Sequence, residues 1–483
     1  MKYQLVILLA FIITILSNTT VFAVESPVNT SLMGVHGHTN MYDVTNFGAI
    51  PDGKTLDTQY IQRAIDTCYA AGGGTVYFPS GIFLSGTIQL KDNITIYLAA
   101  GATLLGSSTM SDYQPKHLFY AHGVSNIAIA GMGCIDGRGN AFWKLRPENE
   151  RIKEEDRWHA VAHFSYKPKD RPSPLLYFDE CRHIVIQDII IKNAPGWTIT
   201  PFKSSNCLIH GVTIDNPIYG PNTDGIDIDD CEHVTISDCQ ITTGDDAVCL
   251  KNSNASNIPF PCRNIAITNC ILTTACNAFK IGTGTLGDFE NITFTNSVIY
   301  NEPQETVNQA LSGVAIESVD GGHVHNVLVA NITMQNVRSP IFIRLGNRVE
   351  HRKTNTPGTL RDININNILA TGAMLTCIFT GLPKHPIENV HLANIDIHTL
   401  GSGTSEKAIS RVPENPGNYP ECVMFGRWLP SNGFYCRHIK GISFSHVQVT
   451  AETVDTRPMF MGDDVESLTT DHSPAIPDVP SVH

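Results

Sequence analysis

A short phrase recurs ten times along the chain and limits the possible folds more than any other feature. Each copy opens with a polar residue or Cys and continues with alternating β-branched and apolar residues. The copies begin at Asn126, His183, Cys207, His233, Asn264, Asn291, Asn326, Asp362, Asn389 and Gly441. From His183 to Asn291, successive starts are 24, 26, 31 and 27 residues apart. Short strands at a period of about 20 to 40 residues, with no helix between them, predict a right-handed single-stranded parallel β-helix.

One helical pattern precedes these repeats. Ile61, Ala64, Ile65 and Cys68 follow the i, i+3, i+4, i+7 spacing of an amphipathic helix, which Gly72-Gly73-Gly74 would end. The open end of a solenoid would pair with other strands, so we expect this helix to cap the first coil. A β-propeller would need four strands per blade and a more even period. The sequence therefore favours an all-β solenoid with an N-terminal capping helix.

The two ends of the chain differ from its centre. Residues 1–23 begin with Lys2, continue through an apolar run and end at Val21-Phe22-Ala23, which is typical of a cleaved secretory signal. The run is shorter than the ~20 residues of a spanning helix. We therefore expect a secreted or periplasmic monomer that has no membrane anchor after signal removal. Residues 24–41 are predicted to be an extension, 42–464 the β-helix domain, and 465–483 a disordered tail.

Charge and cysteine content exclude several kinds of partner. The chain has 33 Lys and Arg against 46 Asp and Glu, a net charge of −13, which disfavours binding to nucleic acid. An acidic polysaccharide would have to meet a local cluster of cations. The 13 cysteines are an odd number, so at least one thiol is free, and their spacing is not that of a zinc site. We expect no metal or other cofactor.

Carboxylates are concentrated in two short segments. Asp224 lies in Asn222-Thr223-Asp224-Gly225, and Asp245 and Asp246 follow Gly244. Asp224 and Asp246 are 22 residues apart, close to one coil, so these acids should stack on neighbouring coils about 4.8 Å apart. Crowding should raise the pKa of at least one carboxyl, which lets one act as an acid while others act as bases. A calcium site is the alternative, because several oxygens converge.

From Tyr42 to Asp464 the chain resembles the polygalacturonase family of pectin hydrolases, glycoside hydrolase family 28. Asn46-Phe47-Gly48-Ala49 is similar to the family's N-terminal cap, and the two acidic segments match its catalytic segments in order. The resemblance implies an inverting hydrolase of α-galacturonosyl bonds in pectin. In it, Asp245 is the acid, Asp224 and Asp246 activate water, and Asn222 contacts substrate. An acid and a base about 6.5 to 9.5 Å apart would suit that reaction.

The chain departs from the family pattern at two places. Asn277 replaces a histidine one coil beyond the acids, and Asn cannot titrate near neutrality. Ala315 and Glu317 stand where the family has two cations that bind the carboxylate of the leaving-group galacturonate. A glutamate facing that carboxylate would repel it.

Two explanations for the missing cations remain open. The cations could come from elsewhere in the chain, for which the candidates are Lys251, Lys280, Arg344, Arg348, Arg352 and Lys353. Otherwise the leaving-group sugar is uncharged, as rhamnose is in rhamnogalacturonan. His323 is a further candidate for substrate binding. The substrate could thus be homogalacturonan or rhamnogalacturonan.

Two other functions fit a solenoid of this kind. A lyase would use calcium and an arginine for β-elimination, and it would leave an unsaturated product. A non-catalytic solenoid, such as an adhesin, would only bind carbohydrate. The two Asp segments favour a hydrolase, because a binding groove has no need of three crowded carboxylates.

Overall fold

The computed structural model describes residues 40–253, 260–303, 306–348, 356–473 and 476. The predicted signal segment, residues 24–39 of the predicted extension, Arg352 and Lys353 lie outside these ranges. No helix in the described ranges is long and apolar enough to cross a membrane.

Thirty-two strands form one sheet whose neighbouring strands run parallel and stack coil upon coil in three ladders. The right-handed parallel β-helix that the repeat predicts is confirmed. The first ladder contains Met41–Asp43, Gly74–Phe78, Ile94–Leu98, Ser125–Ala130, Arg182–Gln187, Ser205–His210, Glu232–Ser237, Cys262–Thr268, Phe289–Tyr300, His323–Gln335, Thr359–Ala373, Ile387–Thr399, Phe434–Ala451 and Phe460–Asp471.

The second and third ladders complete each coil. The second contains Asp52–Leu56, Gly81–Ser85, Ala102–Gly106, Cys134–Asp136, Ile190–Lys192, Thr213–Asp215, Gln240–Thr243 and Ile271–Thr274, and it continues in the second half of the long strand Phe289–Tyr300. The third contains Ile88–Gln89, Phe119–His122, Leu176–Asp179, Ile199–Phe202, Ile226–Asp229, Val248–Asn252, Asn277–Thr285, Ser312–Ser318, Ser339–Leu345 and Cys377–Thr380. A separate antiparallel pair joins Trp143–Leu145 to Tyr166–Pro168.

Within the described ranges, helical structure is limited to the start of the solenoid and to connections. The α-helix Thr58–Ala70 buries Ile61, Ala64, Ile65 and Cys68, each 0% exposed, which confirms the predicted capping helix. The short 3-10 turns are Val44–Phe47, Met110–Asp112, Gly139–Phe142, Glu148–Glu150, Glu154–Asp156, Ala162–Ser165 and Thr306–Asn308.

The polar residue that opens each repeat turns a corner of the coil. Asn264, Asn291 and Asn326 have φ values of 57, 57 and 56°, in the left-handed region that Asn tolerates better than other side chains. The side chain of Asn326 donates to Asn291 Oδ1 at 3.2 Å, and that of Asn291 donates to Asn264 Oδ1 at 3.1 Å. At the Cys207 repeat the corner lies one residue earlier, at Asn206 (φ 57°). The recurring Asn is therefore a backbone requirement that also links successive coils.

Another stack of asparagines, on successive coils, provides a test of this requirement. Asn331 (φ 58°) donates to Asn296 Oδ1 and accepts from Asn367 Nδ2, both at 2.8 Å. Asn331→Ala should lower the free energy of unfolding by about 1–2 kcal/mol, because Ala lacks the polar side chain that lets Asn adopt this conformation and both hydrogen bonds are lost. Asn331→Gly keeps the backbone conformation accessible and should cost less. Urea unfolding measures both, and equal losses would contradict the backbone argument.

The C-terminal boundary predicted from the sequence is wrong. The last strand, Phe460–Asp471, continues seven residues past 464, where the disordered tail was expected to begin. Val465 pairs with Ile439 and Leu468 with Ile442 on the preceding coil, so this segment extends the sheet. The three prolines at 474, 477 and 480 lie outside the described residues.

Cysteines fill the solenoid as small apolar side chains. All thirteen are free thiols, and all except Cys134 are buried. No disulfide is needed where one continuous apolar core runs through the coils.

Two long loops cover the outer face of the third ladder. They are the segments 136–174 and 399–430, and they enclose a second apolar cluster against that face. Val161 from the first loop and Phe425 from the second pack in this cluster with Cys276, Ala315 and Phe342 of the ladder. The loops therefore enclose the part of the ladder that carries the acidic segments.

Candidate active site

Successive strands of the third ladder carry the predicted acids. Ile226 pairs with Val248. Asp224 and Asp246 each lie two residues before this pair, so they stack on neighbouring coils as the spacing predicts. Asp245 immediately precedes Asp246, and one carboxylate oxygen of each lies within 4.8 Å of the other, less than the separation of about 6.5 to 9.5 Å that was expected for an inverting pair. The fold thus brings the three predicted catalytic carboxylates together.

Asp246 is the acid whose negative charge is stabilised by a cation and by hydrogen bonds. Its Oδ1 accepts from the backbone N–H of Asn277 at 3.1 Å and from Asn277 Nδ2 at 2.8 Å, and Lys280 Nζ lies 3.4 Å from its Oδ2. Burial alone would raise the pKa of Asp246, but Lys280, Lys251 and the Asn277 hydrogen bond hold it below its usual range. Asp246 is therefore an ionised carboxylate, suited to accept a proton. Asn277 supports this base.

Asp224 has the opposite environment. It is 4% exposed, and its Oδ1 has no hydrogen-bond partner among the described residues. Burial raises the pKa of Asp224 well above its usual value, and the neighbouring charges of Asp245 and Asp227 add to the effect. The stacked pair thus differs in pKa, which is raised for Asp224 and lowered for Asp246.

Asp245 is held by two hydrogen bonds and remains within reach of a bound molecule. Its side chain is 13% exposed. Oδ1 accepts from the backbone N–H of Asp246 at 2.9 Å, and Oδ2 accepts from Asn222 Nδ2 at 3.3 Å. Asn222 is exposed and is itself oriented by Arg171, whose guanidinium donates to Asn222 Oδ1 at 2.9 Å. Arg171 therefore supports the acid through Asn222.

The sequence did not single out Asp227 as a site residue. It is 0% exposed, and burial raises its pKa to about 7 although Lys251, whose Nζ lies 3.4 Å from Oδ1, lowers it. The sequence signal that could have identified Asp227 was its position in a strand with further acids, one coil before Cys249. Lys251 also lies over the Trp197 ring, 5.0 Å from its centroid. Lys251 is thus committed to Asp227 and Trp197.

The expectation that Arg344 and Arg348 face the substrate is not supported. Arg344 is 1% exposed, and its guanidinium donates to the carbonyls of Glu414 and Asn415 at 2.8 and 3.1 Å. It anchors the second loop to the ladder. Arg348 donates to both carboxylate oxygens of Asp320, at 2.9 and 2.7 Å. Both cations are engaged by the protein itself.

The structure also places Glu317 and His323 differently from the prediction. Glu317 is 0% exposed with no hydrogen-bond partner among the described residues, and burial raises its pKa well above its usual value. Because its side chain is enclosed, Glu317 does not face a substrate. His323 is exposed at the start of a first-ladder strand, where its Nδ1 lies 2.9 Å from Thr359 Oγ1. It therefore belongs to another face of the coil.

The second loop contributes a carboxylate that sequence spacing could not reveal. Glu421 Oε1 lies 3.3 Å from Lys280 Nζ, and Oε2 accepts from Asn277 Nδ2 at 3.3 Å. Tyr419 from the same loop is 55% exposed, and Lys280 Nζ lies 5.4 Å from the centroid of its ring. More than a hundred residues separate this loop from Asn277, so only the folded chain brings them together.

The calcium alternative fits this donor set poorly. Among the described residues, the possible metal ligand grouped with Asp245 and Asp246 is the Cys276 thiol, with all three ligand atoms within 4.8 Å of one another. Calcium takes six to eight oxygen ligands, and Lys280 already occupies one side of Asp246. The arrangement is better suited to proton transfer, with one ionised carboxylate, one raised pKa and one accessible acid.

Comparison with known families identifies the class of protein. Residues 68–418 match the family model described as glycosyl hydrolases family 28. The chain belongs to glycosyl hydrolase family 28. A probable polygalacturonase of Vitis vinifera is 26% identical over 387 residues, which cover 74% of this chain and 74% of that relative. Polygalacturonase-2 of Solanum lycopersicum is 26% identical over 398 residues, covering 79% and 80%.

Solved structures share the fold of this family 28 chain. An exopolygalacturonase from Thermotoga maritima aligns with a TM-score of 0.62 and 24% identity, covering 74% of this chain and 87% of its own. The family 28 exopolygalacturonase of Yersinia enterocolitica aligns with a TM-score of 0.66 and 20% identity, covering 88% and 78%. Membership of the family makes the chain a glycoside hydrolase and confirms the resemblance seen in the sequence.

Proposed function

We propose that this family 28 enzyme hydrolyses α-galacturonosyl bonds of pectin with inversion of configuration. The observation that carries the proposal is the stacked pair Asp224 and Asp246, whose pKa values are shifted in opposite directions beside the accessible Asp245. The names of the similar plant proteins support pectin as the substrate class. The signal-like segment at residues 1–23 supports an exported enzyme, as a polymeric substrate requires.

The proton movements can be assigned to individual carboxyls. Asp245 gives its proton to the leaving oxygen, while Asp246 takes a proton from the attacking water. Asp224 shares a face with Asp246 and orients the same water. The raised pKa of Asp224 supports an orienting role and leaves Asp246 as the principal base. Asp246 then loses its proton to solvent and Asp245 regains one, so the cycle balances.

A second candidate is hydrolysis of galacturonosyl–rhamnose bonds in rhamnogalacturonan. It is favoured by Glu421, a carboxylate 15% exposed beside the acids. The cation beside Glu421 is Lys280, which is already shared between Asp246 and Glu421. A carboxylate accepts hydrogen bonds from sugar hydroxyls but repels a uronate. A neutral leaving-group sugar would fit beside Glu421 better than galacturonate.

Product analysis on defined oligosaccharides tests both candidates. We expect early products with the inverted anomeric configuration by proton NMR, no unsaturated end group, and a rate unchanged by chelator. Because of Glu421, a galacturonosyl–rhamnose bond should be cleaved at least about tenfold faster than a galacturonosyl–galacturonate bond, which corresponds to about 1.4 kcal/mol of repulsion. Matched chains that differ only in the leaving sugar provide the comparison.

Each other outcome would contradict a specific part of this assignment. Retention of configuration would exclude the inverting geometry. Unsaturated products that disappear with chelator would indicate a calcium-dependent lyase, and binding without turnover would indicate a non-catalytic solenoid. Equal or faster cleavage of homogalacturonan would exclude the rhamnose preference while leaving the hydrolase intact.

A further inference from the structure

His163 brings an imidazole to the predicted acid from a distant loop. It lies in the 3-10 turn Ala162–Ser165 of the first long loop, and its side chain is 11% exposed. Its Nε2 is 3.7 Å from Asp245 Oδ2. This distance is slightly longer than a hydrogen bond, as catalytic contacts commonly are before substrate binds.

The other ring nitrogen fixes the protonation pattern of His163. Nδ1 lies 2.8 Å from the carbonyl oxygen of Gly244, which can only accept a hydrogen bond. Nδ1 must therefore carry the hydrogen. In the neutral ring, this leaves a lone pair on Nε2 that points to the carboxyl of Asp245. In the charged ring, Nε2–H faces the carboxylate instead.

A buried arginine holds this part of the loop in place. Arg338 is 0% exposed, and its guanidinium donates to the carbonyls of Trp158 and Ala160 at 3.2 and 2.7 Å. Val161, two residues before His163, packs in the apolar cluster that includes Cys276. The loop segment that precedes His163 is thus held in place by Arg338 and by the apolar cluster.

Resting on the proposed function, we propose that His163 is a positioning residue that keeps the catalytic proton available to Asp245. One proton is shared between the two groups, on the Asp245 carboxyl or on His163 Nε2. Asp245 passes it to the leaving oxygen, which leaves a carboxylate beside a neutral imidazole, and solvent then returns one proton to the pair. The imidazole thereby supplies the titrating group that is absent at Asn277.

The surroundings of the pair favour this arrangement. Asp224, Asp246 and Arg171 are the charged groups that face Asp245, and the Cys276 thiol is also nearby. The two carboxyls oppose a further negative charge on Asp245, whereas Arg171 favours one. A free carboxyl loses its proton near pH 4 and an imidazole near pH 6.5. A group that titrates near neutrality beside the acid should therefore be visible in the basic limb of the activity profile.

The first experiment compares His163→Asn with the wild type over a range of pH. The Asn amide can still donate to the Gly244 carbonyl but lacks a group at the Nε2 position. We expect kcat/KM to fall about 10- to 100-fold and its basic limb to move to lower pH, with Tm unchanged. His159→Asn is the matched control, because His159 is on the same loop and pairs with Asp156 at 3.2 Å. It should behave as wild type.

A uniform loss at every pH would reduce His163 to a structural role and overturn the proposal, as would an unchanged profile. A second measurement does not depend on turnover. The imidazole nitrogen resonances of His163, assigned in NMR spectra by their absence from His163→Asn, should move toward those of a neutral ring in Asp245→Asn at the same pH, because the partner carboxylate is gone. Unmoved resonances would refute the pairing. Moved resonances in an enzyme inactive on every pectin would instead refute only the proposed function.

Discussion

Asp245→Asn should lower kcat about 10³- to 10⁴-fold while the protein remains folded. An amide cannot give a proton to a poor alkoxide leaving group, so the glycosidic oxygen would have to depart as an anion. The fold should tolerate the change, because Asp245 makes only two side-chain hydrogen bonds within the described residues, to the Asp246 backbone and to Asn222. Initial rates on a defined oligosaccharide and thermal unfolding measure the two effects.

Asp238→Asn is the matched control for this variant. Asp238 is exposed at a coil corner with φ 58°, a conformation that Asn also adopts, and its described contacts are with His210 and Asn269. The same chemical change there should leave kcat within a factor of two of wild type by the ordinary behaviour of surface sites. A folded Asp245→Asn enzyme that kept a tenth of the wild-type kcat would contradict the assignment of Asp245 as the acid.

The parts of the fold that repeat could be predicted from the sequence. Each coil needs a left-handed corner, so a residue that tolerates this conformation recurs at the period of the solenoid, most often Asn, as at Asn264 and Asn291. The stacking of Asp224 over Asp246 follows from the same period, because residues one coil apart occupy equivalent positions. The spacing of residues along the repeat determines both the corners and the stacking of the acids.

The parts of the site supplied by loops could not be predicted in this way. Arg344 follows an apolar run in the sequence, which gives no sign of a partner, but a loop about seventy residues further along covers it and accepts its hydrogen bonds. Glu317 is enclosed in the same region. Glu421 and His163 reach the acids from loops with no repeat. Burial of a charge depends on what folds over it, and sequence spacing carries no such information.

The predicted C-terminal boundary was wrong for a related reason. The prolines near the end of the chain suggested disorder, but Val465 and Leu468 pair with the coil before them. These two apolar residues are three positions apart, so no period-2 pattern marked the strand in the sequence.

Lys280→Met should lower the free energy of unfolding by about 3–5 kcal/mol at pH 7, because it breaks a buried ion pair by removing one partner. Lys280 is 1% exposed, and it is the cation shared by Asp246 and Glu421. Without it, two enclosed carboxylates lose their positive neighbour. Urea unfolding measures the loss. Lys203→Met is the control, since Lys203 lies 3.8 Å from Glu180 in a more exposed pair, and it should cost at most about 1 kcal/mol.

The pH dependence separates the charge of Lys280 from its packing. In the wild type, the pKa of Asp246 is held below its usual 3.8, so its stabilising contribution is present above pH 3.8 and is lost as the pH falls through the lowered pKa. In Lys280→Met that pKa rises above 3.8 through burial, and stability falls as the pH increases from 3.8 through the raised value. The difference between the two proteins should therefore be smaller near pH 4 than at pH 7. Adding Glu421→Gln should recover part of the loss at pH 7, because one of the two unpaired carboxylates is then neutral. A loss of equal size at both pH values would assign the effect to packing and leave the low pKa of Asp246, and with it the base, without its main support.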